Sequence, residues 1–411
     1  MAFHHQTAGY VLPVDTPSKP PPSGRLIATV LGQLAFGLFA MTISLPSMQE
    51  WGVIFDVSQP AVQLTFSGYV LTYGALQLVY GPLSDRVGRK RVLLMGMGLA
   101  CVGSFAAAIA PNLTLLTWAR VFQGAGAAAG MVVGRAMVQD LFDGPDRTRV
   151  MAYVGMAMGL CPPLATILGG QLHVHLGWRS NFILITLIAA VLLYAAWREL
   201  PALEPEAVDR PHWLRNMITS YTTLVRAPSF MLYVAVLATA TATFYIFLGG
   251  APIVLGSYGV GPDGIGFYIM VIPLSYITGS FLTSRLIRRI GNHRMMEWGQ
   301  RLTLVGMVLV VVLALTPLAS PLALVLPLTL LGIGHGFLVP PALTGTVGLI
   351  PALAGAAAAV AGVSQQVMGA FGGYVVGLVP LEGALNLGWL MLLTASLGYW
   401  AHRYLLRLLN S

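Results

Sequence analysis

Charged side chains vanish from this sequence for about twenty residues at a time, and that spacing constrains the fold more than any other feature. A helix rises about 1.5 Å per residue, so roughly 20 apolar residues carry a chain across a bilayer core. Twelve such windows follow one another, at about 25–49, 61–82, 92–111, 113–139, 149–173, 180–197, 229–254, 264–287, 301–318, 321–349, 355–379 and 385–406. The runs are continuous, not alternating, which excludes a β-barrel. Only 9% of residues are charged, against about 25% in a soluble domain. A soluble enzyme, a nucleic-acid binder and a disordered chain are excluded on that ground. The fold class expected is an all-α polytopic membrane protein.

Orientation follows from the basic residues. With the N-terminus in the cytoplasm, the inner segments hold Lys19, Arg25, Arg86, Arg89, Lys90, Arg91, Arg147, Arg149, Arg198, Arg210, Arg215, Arg226, Arg285, Arg288, Arg289, Arg294, Arg301, Arg403 and Arg407. The outer loops hold Arg179, and Arg120 and Arg135 fall inside span 4. The asymmetry predicts both termini in the cytoplasm and an even number of spans. It ascribes the net charge of +8 to topology and anionic lipid, with no nucleic-acid partner.

The expected layout is a disordered cytoplasmic N-terminal tail over 1–24, a six-helix bundle over 25–197, a central cytoplasmic loop over 198–228, a second six-helix bundle over 229–406 and a C-terminal tail over 407–411. The leader lacks a signal-peptide start. Each half carries a basic cluster after its own second span, Asp85-Arg86-Val87-Gly88-Arg89-Lys90 and Arg285-Leu286-Ile287-Arg288-Arg289-Ile290-Gly291. Parallel six-helix repeats are the signature of one large transporter fold.

Residues 81–91 read Gly-Pro-Leu-Ser-Asp-Arg-Val-Gly-Arg-Lys-Arg. This resembles motif A of the major facilitator superfamily, in the loop between helices 2 and 3. Span 4 carries Arg120, Gln123, Gly124 and Gly126, like motif B. Span 5 carries Gly159, Pro162 and Pro163, then Gly169 and Gly170, a partial motif C; Ala165-Thr166 stands where that motif has Gly-Pro. Together these resemble the twelve-helix drug:proton antiporter branch, and the overall pattern is similar to its bicyclomycin/chloramphenicol resistance subfamily. The resemblance implies two six-helix bundles and a motif A that acts as a conformational latch.

The residues support that latch on their own chemistry. Gly81 and Gly88 permit a tight turn and close helix approach. Asp85 is expected at the inner helix ends, near the start of span 11 at Pro351 to Ala356, where a helix N-terminus favours a carboxylate. Arg86 adds to the basic turn, and Arg89 can pair with Asp140 at the inner end of span 4. The alternative is a basic stop-transfer loop with no gating role. Glycines at four-residue spacing, Gly126, Gly130 and Gly134, then Gly369, Gly373 and Gly377, let helices approach closely. They serve either static packing or a sliding surface.

None of the 14 acids sits in the middle of a span. Many relatives carry an acid in helix 1 shortly before a proline. Here Thr42 takes that place, four residues before Pro46, and a threonine carries no proton at neutral pH. Embedded ionisable groups are functional candidates by default. Arg120 either faces a cavity or joins a structural network with Gln123. Arg135 is expected to snorkel to the inner surface. His335, in a Gly-Ile-Gly-His-Gly run of span 10, is the candidate proton carrier, its ordinary titration range being physiological; the other reading is a neutral histidine bonded to a carbonyl. Candidate cavity residues are Thr42, Tyr69, Tyr73, Tyr245, Tyr268, Tyr276 and Gln365, since a cavity for an apolar guest needs aromatic and small polar groups.

These readings imply a bacterial inner-membrane exporter of small, partly apolar compounds, neutral or anionic, working by alternating access with protons as coupling ion. The alternative is a metabolite or siderophore exporter, or an uncoupled facilitator, on the same fold. No Walker loop, nucleophile elbow or metal-spaced cluster occurs, so neither enzyme activity, cofactor nor metal is expected. Cys101 and Cys161 lie in apolar runs and form no disulfide framework. The partners expected are a small-molecule substrate, protons and membrane lipid, with the chain a monomer.

Overall fold

The computed structural model describes residues 23–142, 144–202, 213–318, 320–350 and 353–410. The leader up to residue 22 and its expected disorder lie outside them. The first half holds α1 (Gly24–Thr42), α2 (Met48–Ile54), α3 (Gln59–Val87), α4 (Arg89–Ala108), α5 (Leu113–Leu141), α6 (Gly144–Leu176) and α7 (Arg179–Glu199). A helix α8 (Trp213–Val225) leads into the second half. There follow α9 (Pro228–Ser257), α10 (Pro262–Ile269), α11 (Val271–Ile290), α12 (Asn292–Ala314), α13 (Pro321–Gly348), α14 (Ala354–Gly377) and α15 (Ala384–Asn410). Among the described residues, nine segments are long and apolar enough to cross a membrane. The other three expected spans, α3, α14 and α15, are helices of 29, 24 and 27 residues.

Local chemistry sets the helix ends. Side chains of Ser23, Asn112 and Ser320 accept from Leu26, Leu115 and Ala323 backbone N–H groups and cap α1, α5 and α13, satisfying donors that lack an intrahelical partner. Gly88 and Gly291 end α3 and α11 and begin α4 and α12, with φ of 102° and 84°. That region costs a side-chain-bearing residue dearly, so the same hinge recurs after the second span of each half.

Several boundaries differ from expectation. The first window does not run to 49. Pro46 offers no N–H, and the residue before a proline avoids the α region. α1 therefore stops at Thr42, and a turn with Leu45 N–H donating to Thr42 O at 3.1 Å leads into α2. The eighth window is two helices, because Pro273 has no N–H for the Ile269 carbonyl. The segment 198–228 is no simple loop, since it contains α8. Residues 407–410 continue α15 and are no tail; the window ended where polar residues begin, and polarity does not stop a helix.

α3 packs on α5 within its half and on α14 across the halves, while α6 meets α10. These cross-half contacts gather at one end, called here the far end, where α1 stops and α3 begins. Gly377 abuts Pro60 and Gln63, and Gly373 abuts Phe66 and Ser67. Gln63 Nε2 donates to Gly249 O at 3.0 Å, and Gln49 Nε2 donates to Pro252 O. A Cβ on Gly170 would strike Pro262 O, and one on Gly266 would meet Ile167 N at 2.5 Å. One turn nearer the termini than Gln366, which presses on Gly74, a Cβ on Gly362 meets nothing within 4 Å. Gly159 still reaches Ile277 Cδ1 at 3.4 Å, but Gly155, one turn on, meets nothing. The halves touch at the far end and diverge toward the end that carries both termini. The glycine run of α5 packs inside its own half, on α4 and α1, whereas Gly373 and Gly377 of α14 pack across.

Candidate functional site

The charged turn between α3 and α4 gathers around Arg89. Its Nε donates to Asp140 Oδ2 at 3.0 Å and its Nη1 to Ser84 Oγ at 2.7 Å, and it pairs with Asp85. Lys90 Nζ reaches Leu200 O at 2.7 Å, tying the turn to the end of α7. The Asp85 side chain is 60% exposed. It pairs with Arg89, and Pro351 and Ala352, where the start of span 11 was expected, lie outside the described residues. A Cβ on Gly81 would lie 3.7 Å from Val132 Cγ1 of α5.

The motif B residues form a buried network. Arg120 is 1% exposed. Its Nη1 donates to Ala40 O at 2.8 Å and to Gln123 Oε1 at 2.5 Å, and its Nη2 to Met41 O at 3.2 Å. Gln123 Nε2 donates to Ser104 Oγ at 2.8 Å. The guanidinium sits 4.3 Å from the Tyr69 ring centroid. Of the two readings, the arrangement is the structural one. A Cβ on Gly124 would meet Tyr69 O at 2.5 Å, so α5 approaches α3 closely there.

In the motif C region α6 runs unbroken through Pro162 and Pro163. Gly169 seats against Ile43 O at the end of α1, and Gly159 faces Ile277. α6 thus joins the first half to the second at the far end.

Where the halves part, four aromatic rings and several amides converge. Tyr69 and Tyr73 stack with centroids 6.0 Å apart. Tyr69 O–H donates to Gly37 O at 2.7 Å. Phe66 meets Tyr245 of the other half edge-on at 5.8 Å. Tyr245 O–H donates to Gln366 Oε1 at 3.0 Å, and Thr241 to Gln365 Oε1 at 3.1 Å. The Tyr73 hydroxyl, the Ser67 hydroxyl and Gln63 Oε1 are buried with no hydrogen-bond partner. Buried polar atoms are almost always bonded, so these three are unmet hydrogen-bonding groups.

Of the expected cavity residues, Tyr69, Tyr73, Tyr245 and Gln365 come together here. Thr42 does not: it is buried and donates to Leu38 O of its own helix at 2.9 Å. Tyr268 and Tyr276 are partly buried on α10 and α11, away from the helices that build this patch. Gln63 and Ser67 were missed. Their signal was polar groups at 63 and 67, four residues apart on one face of α3 in an apolar setting. Missed too was His173, whose Nε2 lies 2.9 Å from Glu50 Oε2 at the far end.

His335 is 7% exposed and has no hydrogen bond to any described residue. Nine residues separate it from lipid-facing Leu326, about half a revolution of the helix, so it points away from lipid. The carbonyl-bonded reading lacks its bond.

The Major Facilitator Superfamily profile matches residues 26–373. The Escherichia coli (strain K12) multidrug resistance protein D is 29% identical over 375 residues, 90% of this chain and 92% of that protein. A Pseudomonas aeruginosa chloramphenicol resistance protein is 29% identical over 366 residues, 87% and 86% of the two chains. A crystal structure of a D-xylose-proton symporter superposes with a TM-score of 0.73 at 16% identity, covering 93% and 96%.

Proposed function

Because the chain belongs to the major facilitator superfamily and is therefore a multi-pass membrane transporter of small molecules rather than an enzyme, we propose that it exports small, partly apolar, neutral or anionic compounds from the bacterial cytoplasm across the inner membrane. One observation carries this: the halves close on each other at the far end and part toward the termini, over a patch of tyrosines and amides. Such a shape is one of the two states that alternating access requires. With the basic loops inside, the open side faces the cytoplasm, where an exporter loads. The names of the two relatives, for multidrug and chloramphenicol resistance, support a drug-like substrate.

Coupling to protons is the finer part of the reading. The matching helix-1 position is Thr42, hydrogen-bonded to its own backbone, and that specific observation favours uncoupled transport as the second reading. His335 is the carrier we propose if coupling exists. Everted vesicles loaded with the chain should accumulate chloramphenicol, and a protonophore should abolish the accumulation. Equilibration that ignores the protonophore means a facilitator. Under coupling, His335→Gln should lose pH-driven accumulation yet keep counterflow; unchanged pH dependence disposes of His335 as carrier.

The turn around Arg89 is proposed as a latch. Its ion pairs are exposed, and such pairs stabilise by about 0–1 kcal/mol each. Arg89→Ala should thus leave thermal stability nearly untouched. Losing two pairs in one state alone shifts the conformational equilibrium, and each 1.4 kcal/mol is about tenfold. Transport should fall about five- to tenfold, measured as initial rates in the same vesicles. An unchanged rate reduces the turn to a topology signal.

A further inference from the structure

One cation in the opening has no acid beside it. Arg135 lies in α5, and its side chain is exposed. It stands thirteen residues from lipid-facing Phe122, about 140° around the helix. Its Nη2 contacts Met158 Sδ of α6 at 3.9 Å, and Met158 is nine residues into a span that begins at Arg149, roughly 13 Å at the helical rise. A thioether is a weak acceptor and no counter-charge. Asp140, the nearest acid along α5, is held by Arg89.

A second observation lies in the patch where the halves part. Tyr73 is 1% exposed and its hydroxyl is unpartnered. Gln366, seated against Gly74, gives its Oε1 to Tyr245; its amide N–H groups have no acceptor among the described residues. The unmet groups on this side of the patch are thus donors, a guanidinium, a phenol and an amide, whereas the unmet acceptor Gln63 Oε1 lies toward the far end. No carboxylate of a described residue joins them. Donors without acceptors are complementary to an anion.

We propose that Arg135, with Tyr73 and Gln366, anchors the anionic group of an amphipathic aromatic substrate, a carboxylate or sulfonate, while the tyrosine rings take its apolar body. This rests on the exporter reading and assigns Arg135 as its specificity-determining residue. A cation with no acid beside it attracts an anion and repels an ammonium.

The test uses the full chain in detergent and in proteoliposomes with three matched probes: 2-naphthoate, 2-naphthamide and 2-naphthylmethylammonium. The wild-type chain should bind the acid more tightly than the amide, and the ammonium least. Arg135→Gln should bind the acid about 30-fold more weakly and the amide unchanged, with Arg135→Lys in between. Equal wild-type binding of acid and amide overturns the proposal without any variant. So does Arg135→Gln binding the acid like wild type, or altering only the response to phosphatidylglycerol in the vesicles, which would mark Arg135 as a lipid contact. If the wild-type chain binds the acid selectively but moves no probe in proteoliposomes, the exporter reading fails and the anion site stands.

Discussion

Replacing Arg120 by methionine should destabilise the chain by about 3 kcal/mol or more, the largest stability loss expected of any single substitution in the first half. The reason lies in the break of α1. A helix leaves its last carbonyls without intrahelical donors, and Pro46 removes a donor just beyond the end. Phe39 O is met by Ile43 N, and Thr42 O by Leu45 N. Ala40 O and Met41 O instead receive the guanidinium of Arg120. The cation also suits the negative end of a helix. Methionine fills similar space and leaves both carbonyls and Gln123 Oε1 unmet, each costing about 1–3 kcal/mol. Melting of the purified protein should drop sharply, and Arg120→Lys should recover part of the loss, since one ammonium reaches fewer of the three acceptors. A methionine variant that melts like wild type would mean that the network contributes nothing.

Gly170→Leu should cut transport at least tenfold while the protein still folds. α6 belongs to one half and α10 to the other. A Cβ on Gly170 would strike Pro262 O, and the backbone at that contact cannot turn aside like a side-chain tip. The obstruction arises only when the far end closes, so it opposes one conformation and leaves each half intact. A shift of the two-state equilibrium by 1.4 kcal/mol is already tenfold, and a clash with backbone exceeds that. With Cys101 and Cys161 replaced by serine, a cysteine at Gln366 should then react faster with an impermeant maleimide added from the far side. Unchanged labelling together with unchanged transport would show that the far end need not close. Gly155→Leu is the control, because nothing lies within 4 Å of its Cβ position.

Much of the site was legible along the chain and part of it was not. The turn at 81–91 could be read because its partners are nearly local: Ser84 and Asp85 adjoin Arg89, and Asp140 ends the helix after next. Arg120 and Gln123 share a helix face at i, i+3, so their pairing was foreseeable. That Arg120 reaches the carbonyls of Ala40 and Met41, some 80 residues earlier, was not, since backbone carbonyls carry no residue-type signal. Thr42 was misplaced because its position before Pro46 said nothing about which way its hydroxyl turned. Gln63 and Ser67 were passed over in favour of aromatic residues, although polar groups on an apolar helix are costlier to bury without a partner.

The sequence alone determined that the chain is a set of apolar helices, where most of them begin and end, and which loops carry the positive charge. Those are properties of hydropathy, proline and glycine, which act within a few residues. Only the tertiary structure decided which helices of opposite halves touch, at which end they part, and that Arg135 is left against Met158 without an acid. Such contacts depend on how two bundles lean on each other. That tilt is set by summed packing over whole helices and leaves no mark in any short stretch of sequence.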